Sequence, residues 1–515
     1  MKKLLKWLDD HILEYLAFAL LIIIPLYPKI PLADILPGYI VRIRLDDFLV
    51  GFTFLVWAIW VVRKKVTLKD NPLLVPIIIY IIIGFISSLS AIFITKTVPF
   101  QAIHIEKIFL HWARRIEYFS VFFVFFSSIK SLVQIKKYVY LAAIVLLLVS
   151  IYGFGQKYYR FPVYSTMNRE FSKGIALYLS DHGRVLSTFG GHYDLAAYLM
   201  IVLTLFIPLA LVVKKWWQKL LFFIVSMFGF WLLILTVSRT SFLAYLVSIT
   251  VVFGVLILKK GWFWALSRWF AVILISMTIM LSFGQLSERF AHLLKMDSLI
   301  AVAFKPLKDA PSGAGTAFLD VGSKSDIPPS AQKPGQEQKP ADVYTDVPEY
   351  GNDEGLPSTL AAKPRIYSQN AIQYDLSTSI RLDYTWPKAI QGFTRNPLLG
   401  SGYSTLTKAN IEDFTEAEST DNDFLRTLGE TGMLGFLSFY GIIAVVCYQA
   451  FSGFSKIKDL FHATVVAGLF AATIGLLVNA FYIDVFVASK VAYTFWILVA
   501  ILLATVKYSI NNKST

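Results

Sequence analysis

The hydrophobic positions of this chain fall in long unbroken runs rather than in short alternations. A helix needs about 20 mostly apolar residues to cross a hydrocarbon core of roughly 30 Å. On that criterion the pattern predicts about twelve spanning helices. They cover residues 12–28, 47–62, 72–94, 109–128, 137–155, 192–213, 218–236, 240–258, 264–284, 432–451, 459–481 and 488–508.

The polar intervals obey a second pattern. An excess of Lys and Arg marks cytoplasmic loops. With the N-terminus inside, every second interval is basic: Arg63-Lys64-Lys65, Lys130 with Lys136-Lys137, Lys214-Lys215 with Lys219, Lys259-Lys260 with Arg268, and Lys456 with Lys458. The alternation persists to Lys507 and Lys513. It predicts a multi-pass protein of the inner (cytoplasmic) membrane with both termini cytoplasmic. The segment at Lys107, Arg114 and Arg115 departs from it, being basic on the outer side. Lys2, Lys3 and Lys6 resemble the basic start of a secretory leader, but Asp9, Asp10 and Glu14 interrupt it and no small-residue cleavage site follows. This stretch is therefore read as a retained first span.

Two outer intervals, 156–191 and 285–431, exceed ordinary connector length. Within the second, residues 305–364 are rich in Pro, Gly, Ser, Ala and Asp and are expected to be disordered. Residues 366–430 carry aromatics and amphipathic signals and are expected to be ordered. The expected architecture is an all-α polytopic membrane protein. It has an N-terminal transmembrane bundle over 1–284, a large extracytoplasmic loop with short helices over 285–431, and C-terminal transmembrane helices over 432–515.

Composition closes off other classes. Hydrophobic residues make up 56% of the chain and charged residues 16%, against roughly 25% charged in a soluble domain. The net charge of +14 invites a nucleic-acid reading, yet no basic block interleaved with aromatics sits on a soluble domain. In a membrane protein such charge serves topology, anionic lipids or anionic substrates. Cys447 is the only cysteine, which excludes an intrachain disulfide and offers no metal-ligand pattern.

Four patches of candidate chemistry share the outer side. Gly183-Arg184-Val185-Leu186-Ser187-Thr188-Phe189-Gly190-Gly191-His192 leads into the sixth span, with His182 just before it. It reads either as a re-entrant turn whose Arg meets lipid phosphate or as a substrate site. Ser238-Arg239-Thr240-Ser241 joins two spans with almost no loop. An Arg there either snorkels to the interface or faces a polar cavity. In the third patch, Arg381 to Tyr403, Thr385 is expected to cap a helix with Pro387 in its first turn, and Asn396-Pro397 to end it. In the fourth, Thr420-Asp421-Asn422-Asp423, the spacing of Thr420 and Asp423 fits a capping box.

Together these patches resemble the O-antigen ligase and O-antigen polymerase superfamily of membrane glycosyltransferases. The resemblance rests on Ser187-Thr188-Phe189-Gly190, Ser238-Arg239-Thr240, Arg381 with Trp386 and Asn396-Pro397-Leu398-Leu399-Gly400-Ser401-Gly402, and Asn422-Asp423-Phe424-Leu425 with Glu430-Thr431-Gly432. Asp484 and Phe495-Trp496 are similar too, so that it covers roughly 180–510. It implies transfer of a glycan from a polyprenyl diphosphate carrier to an acceptor hydroxyl, on a lipid-linked or glycan-linked acceptor, without a nucleotide sugar, metal or other cofactor. Arginines keep their charge and pair with the oxygens of a diphosphate leaving group. Arg184, Arg239 and Arg381 are therefore the expected diphosphate ligands. One position departs from the family. Where a His commonly precedes Asn, this chain has Asp421 before Asn422. Asp421 and Asn422 are the expected catalytic residues, with Asp421 as base, and His182 or His192 the alternatives. The helix N-terminus and nearby arginines are expected to lower the pKa of Asp421 and weaken it as a base. A transporter or flippase of polyprenyl-linked glycans is the competing reading; the lack of an internal repeat counts against it.

Overall fold

The computed structural model describes residues 2–36, 39, 41–167, 171–180, 183–282, 376–406 and 419–511. The stretch 305–364 and His182 lie outside the described residues. Among the described residues nine long helices precede the long polar loop 285–431: α1 (Lys2–Leu26), α2 (Leu45–Val62), α3 (Leu74–Phe93), α4 (Ala102–Ser128), α5 (Leu132–Tyr159), α6 (His192–Val212), α7 (Trp216–Leu235), α8 (Arg239–Lys260) and α9 (Trp262–Ser282). Within that loop α10 (Trp386–Arg395) is short. Three more long helices follow: α11 (Asp423–Phe454), α12 (Leu460–Asn479) and α13 (Ser489–Asn511). A small antiparallel hairpin, β1 (Ala33–Asp34) with β2 (Arg42–Ile43), sits between α1 and α2.

The protein is an all-α polytopic membrane protein. Among the described residues the long helices fall on the twelve predicted runs, and ten are long and apolar enough to cross a membrane. The other two, α1 and α4, are interrupted by charge. In α4 the interruption is structural. Lys107 and Arg115 are buried, and Arg114 pairs with Asp47 of α2 at 2.6 Å and with Glu117 at 2.7 Å. The basic outer segment is thus the first half of a helix that begins at Ala102, earlier than the predicted 109.

The charge alternation corresponds to one end of the bundle. Lys65 pairs with Asp9 at 2.7 Å, Lys507 lies 3.5 Å from Asp70, and Lys259 donates to the carbonyls of Ser455 and Ile457. Both ends of the described chain therefore share that end. The four candidate patches share the opposite one. The middle of the bundle is formed by α6, α12 and α13; α6 packs on α7, α8 and α12.

Two expected caps are replaced by other contacts. Before α10 the chain is already helical, through Leu376–Ile380 and a π-helical turn, Arg381–Thr385. Thr385 is therefore not a cap, and its hydroxyl instead donates to the Thr420 carbonyl at 3.2 Å. Asn396-Pro397 does end α10. At the start of α11 the cap is Asn422, whose side-chain oxygen accepts from Leu425 N at 2.9 Å, not a Thr420–Asp423 box.

The helix α11 begins at Asp423 and is broken at Gly432, where φ is +66°. A break leaves backbone groups without helical partners. The loop after α10 supplies them. Ser401 N and Gly402 N donate to the carbonyls of Gly429 and Glu430, and Met433 N and Leu434 N donate to those of Pro397 and Leu398. The loop thus threads the break, and a Cβ at Gly432 would run into the Leu398 carbonyl. Two sequence motifs, 396–402 and 430–435, are explained by this one junction.

Candidate active site

The site is built on the turn between α12 and α13. There Asp484 accepts from Thr420 N at 3.0 Å, Asn422 N at 3.0 Å and Arg426 Nη1 at 2.8 Å. The hydroxyls of Ser419 and Thr420 also reach it, at 2.8 and 3.1 Å. This one carboxylate therefore fixes the segment 419–422. The segment holds Asp421 at φ +52°, a left-handed conformation that costs a non-glycine residue of order 1–3 kcal/mol.

Asp421 so held points to the π-helical turn. Its Oδ2 lies 3.1 Å from Arg381 Nη2, and its side chain is 36% exposed. Arg381 also donates to the Tyr482 carbonyl at 3.3 Å and stands 5.6 Å from the centre of the Tyr482 ring. The Ser419 hydroxyl lies within 2.9 Å of both Asp421 and Asp484, so one proton serves two carboxylates. The surrounding protein pushes the Asp421 carboxyl above its ordinary value, the Arg381 charge opposes this, and the nearby Asp484 adds to it. The sequence-based expectation of a lowered pKa is thereby corrected: loss of solvation outweighs the arginines.

Beneath this layer runs a chain of buried ion pairs. Arg426 joins Asp484 to Glu430 (Nε to Oε1, 3.2 Å), and Glu430 lies 3.5 Å from Arg115 of α4. Glu430 also accepts from Ser404 N at 3.0 Å, so it ties α4 and the post-α10 loop to α11. A cavity of about 30 Å³ beside Arg115, Arg426 and Glu430 is large enough for water. Arg115, Arg426 and Glu430 were given no site role by sequence reasoning. For Arg115 the signal available was charge inside the predicted span 109–128, which points to a paired group, whereas Arg426 and Glu430 precede the predicted span at 432 and gave no such signal.

The remaining expected residues occupy the same end. Arg184 is only 2% exposed and hydrogen bonds to Nε2 of His192 at 2.8 Å. His192 is fully buried and its Nε2 is engaged by Arg184. The Arg184 segment abuts the Arg239 hairpin through Val185 N and the Leu235 carbonyl. Lys490 steadies the same segment by donating to the carbonyls of Thr188, Pro25 and Tyr27. Arg239 is the half-buried first residue of α8, after Ser238, which caps the helix at Ser241 N. Ser241 in turn bonds Asn479, the last residue of α12, three residues before Tyr482. Arg381 and Asp421 are in direct contact, the Arg239 hairpin adjoins the same turn, and Arg184 is turned inward onto His192.

No curated protein matches the chain. The family described as O-antigen ligase matches residues 221–440, from α7 to the first part of α11. That span takes in Arg239, Arg381, Asp421, Asn422 and Glu430, while Arg184 and Asp484 lie outside it. Over this segment, which carries the Arg381–Asp421 pair, the chain is similar to the O-antigen ligase family.

Proposed function

We propose that the protein moves a glycan from a polyprenyl diphosphate carrier to an acceptor hydroxyl during surface polysaccharide assembly. The reading places it in the cytoplasmic membrane with both termini inside and the site on the outer face. The observation that carries it is the Arg381–Asp421 pair at 3.1 Å on the outer loop, inside the segment that matches the O-antigen ligase family.

The proposed step is a displacement at the anomeric carbon. The acceptor oxygen bonds to that carbon as Asp421 takes its proton. The bond to the diphosphate oxygen breaks, and its electron pair leaves with the carrier diphosphate. Arg381 and Arg239 donate to the oxygens on which charge accumulates, the role in which fixed donors contribute most. Arg184, being buried, contributes through its field. Asn422 positions Asp421 by capping α11. Arg381 cannot give the same N–H groups to Asp421 and to a diphosphate. Donor binding therefore draws Arg381 off Asp421, and loss of that counter-ion strengthens the base. The carboxylate is primed when the leaving group is in place.

The test is transfer by purified protein in liposomes. Polyprenyl-diphosphate-linked glycan is offered with lipid-linked and carrier-linked acceptors, and donor and product are followed by mass. Donor consumed by the wild type and far more slowly by Arg381→Ala, with a glycosylated acceptor appearing, is the expected result. Its acceptor separates a ligase from a polymerase. Intact donor across both acceptor classes would overturn the reading.

A further inference from the structure

We infer that α10 is an interfacial helix seated in the outer leaflet, with one flank inserted among lipid acyl chains. The inference goes beyond the proposed reaction and does not rest on it.

The face of the helical segment that meets the protein is set by Arg381, Thr385, Ala389 and Gly392, all buried. Gly429 of α11 lets the two helices approach so closely that a Cβ there would lie 2.7 Å from the Ala389 carbonyl. Beside this face runs an apolar flank. Leu382, Trp386, Ile390 and Phe393 recur at spacings of four, four and three, which stacks them along one side of a helix. Ile390 is 51% exposed and Leu382 is exposed as well. The other flank is polar, with Lys388, Gln391 and Arg395.

What covers the apolar flank follows from its continuity with the lipid-facing surface. Leu398, 62% exposed, is bonded through its carbonyl to Leu434 N. Leu434 belongs with Met433 and Leu437 to the exposed apolar side of α11, a spanning helix whose exposed side faces lipid. At the other end of the flank Trp386 meets the ring of Tyr482, 6.1 Å away, next to exposed Phe481. The flank thus prolongs a lipid boundary instead of standing apart on the outer domain. Trp and Tyr favour the headgroup layer, and Lys388 and Arg395 on the opposite flank suit lipid phosphates. A three-sided helix of this kind has one side for protein, one for acyl chains and one for headgroups and water.

The experiment uses single cysteines in the full chain with Cys447→Ser as background. Ile390→Cys, Phe393→Cys and Leu398→Cys sample the flank, and Gln391→Cys and Arg395→Cys the opposite side. Each carries an environment-sensitive fluorophore in vesicles of phosphatidylethanolamine and phosphatidylglycerol. Quenching by nitroxide-labelled lipids is compared with quenching by aqueous iodide. Labels at 390, 393 and 398 are expected to be quenched several-fold more by lipid nitroxide than labels at 391 and 395, and to be shielded from iodide. Iodide access at all five positions would overturn the inference. So would shielding from both quenchers on the flank, because protein would then be the cover. Each label reports by itself, so a variant that fails to insert leaves the others decisive.

Discussion

Arg381 and Asp421 stand 3.1 Å apart although forty residues separate them, because Asp484 holds the residues on either side of Asp421 and the Tyr482 carbonyl holds Arg381. Both anchors lie in the short turn between α12 and α13. The turn therefore sets the geometry of a pair that neither the outer loop nor α11 could set alone.

The raised Asp421 carboxyl gives a pH prediction. As the proposed base, Asp421 works deprotonated, so activity is lost as pH falls through its pKa. Because that pKa is raised, the acid limb lies above the ordinary Asp range of about 3.9. Arg381 opposes the shift, so Arg381→Ala should move the limb of the residual activity to still higher pH. Asp421→Asn should lower turnover by about 10²–10⁴-fold and abolish the limb. Initial rates across pH for the three proteins decide this, and an unchanged limb in Asp421→Asn would remove Asp421 from the role.

Asp484→Asn should release the segment 419–422 while Arg426 keeps Glu430. Misplacing a catalytic group by about 1 Å costs about 10²-fold in rate, and a loss of that size is expected in turnover with little change in donor binding. Separate measurements of donor affinity and turnover test the prediction. A loss in affinity alone would contradict it.

Glu430→Ala should destabilise the protein by about 3–5 kcal/mol, since it leaves Arg115 and Arg426 buried with one counter-ion between them. Thermal unfolding in detergent is the readout. Adding Arg115→Met to Glu430→Ala should recover part of the loss, as expected when an uncompensated charge and not a lost contact is the cause.

Gly432→Ala should cost about 1–3 kcal/mol from the left-handed backbone alone, and more from the clash with Leu398. Gly441, later in α11 and open to added atoms, is the control: Gly441→Ala should be neutral or stabilising. Equal melting temperatures for the two variants would argue against the junction.

Much of the fold was legible because spans are written as composition. Residues 192–213 and 488–508 needed no partner to be read as helices. The site was less legible because its parts have meaning only in pairs. Lys107, Arg114 and Arg115 read as a basic outer segment, since nothing in the sequence pairs Arg114 with Asp47 or Arg115 with Glu430. The apolar run puts the start of a span at 432, which is where the helix breaks, while the capping spacing at Thr420–Asp423 marks the helix start itself. Asp421 was given the wrong shift because helix ends and arginines can be read from sequence, whereas desolvation depends on which chains close around a group.

The break at Gly432 also sets what the bilayer can and cannot move. From Gly432 to Phe454 α11 is by itself long enough to cross a core of about 30 Å. Its outer part, from Asp423 to Thr431, is fastened instead to the loop that follows α10. A thicker or thinner membrane tilts or shifts the spanning part, the usual response to mismatch. The same loop also bonds Met433 and Leu434 on the spanning side of the break, so tilt of the spanning part is passed to the outer part through it. Bilayer thickness is therefore felt at the polar layer through one loop, and not along a continuous helix.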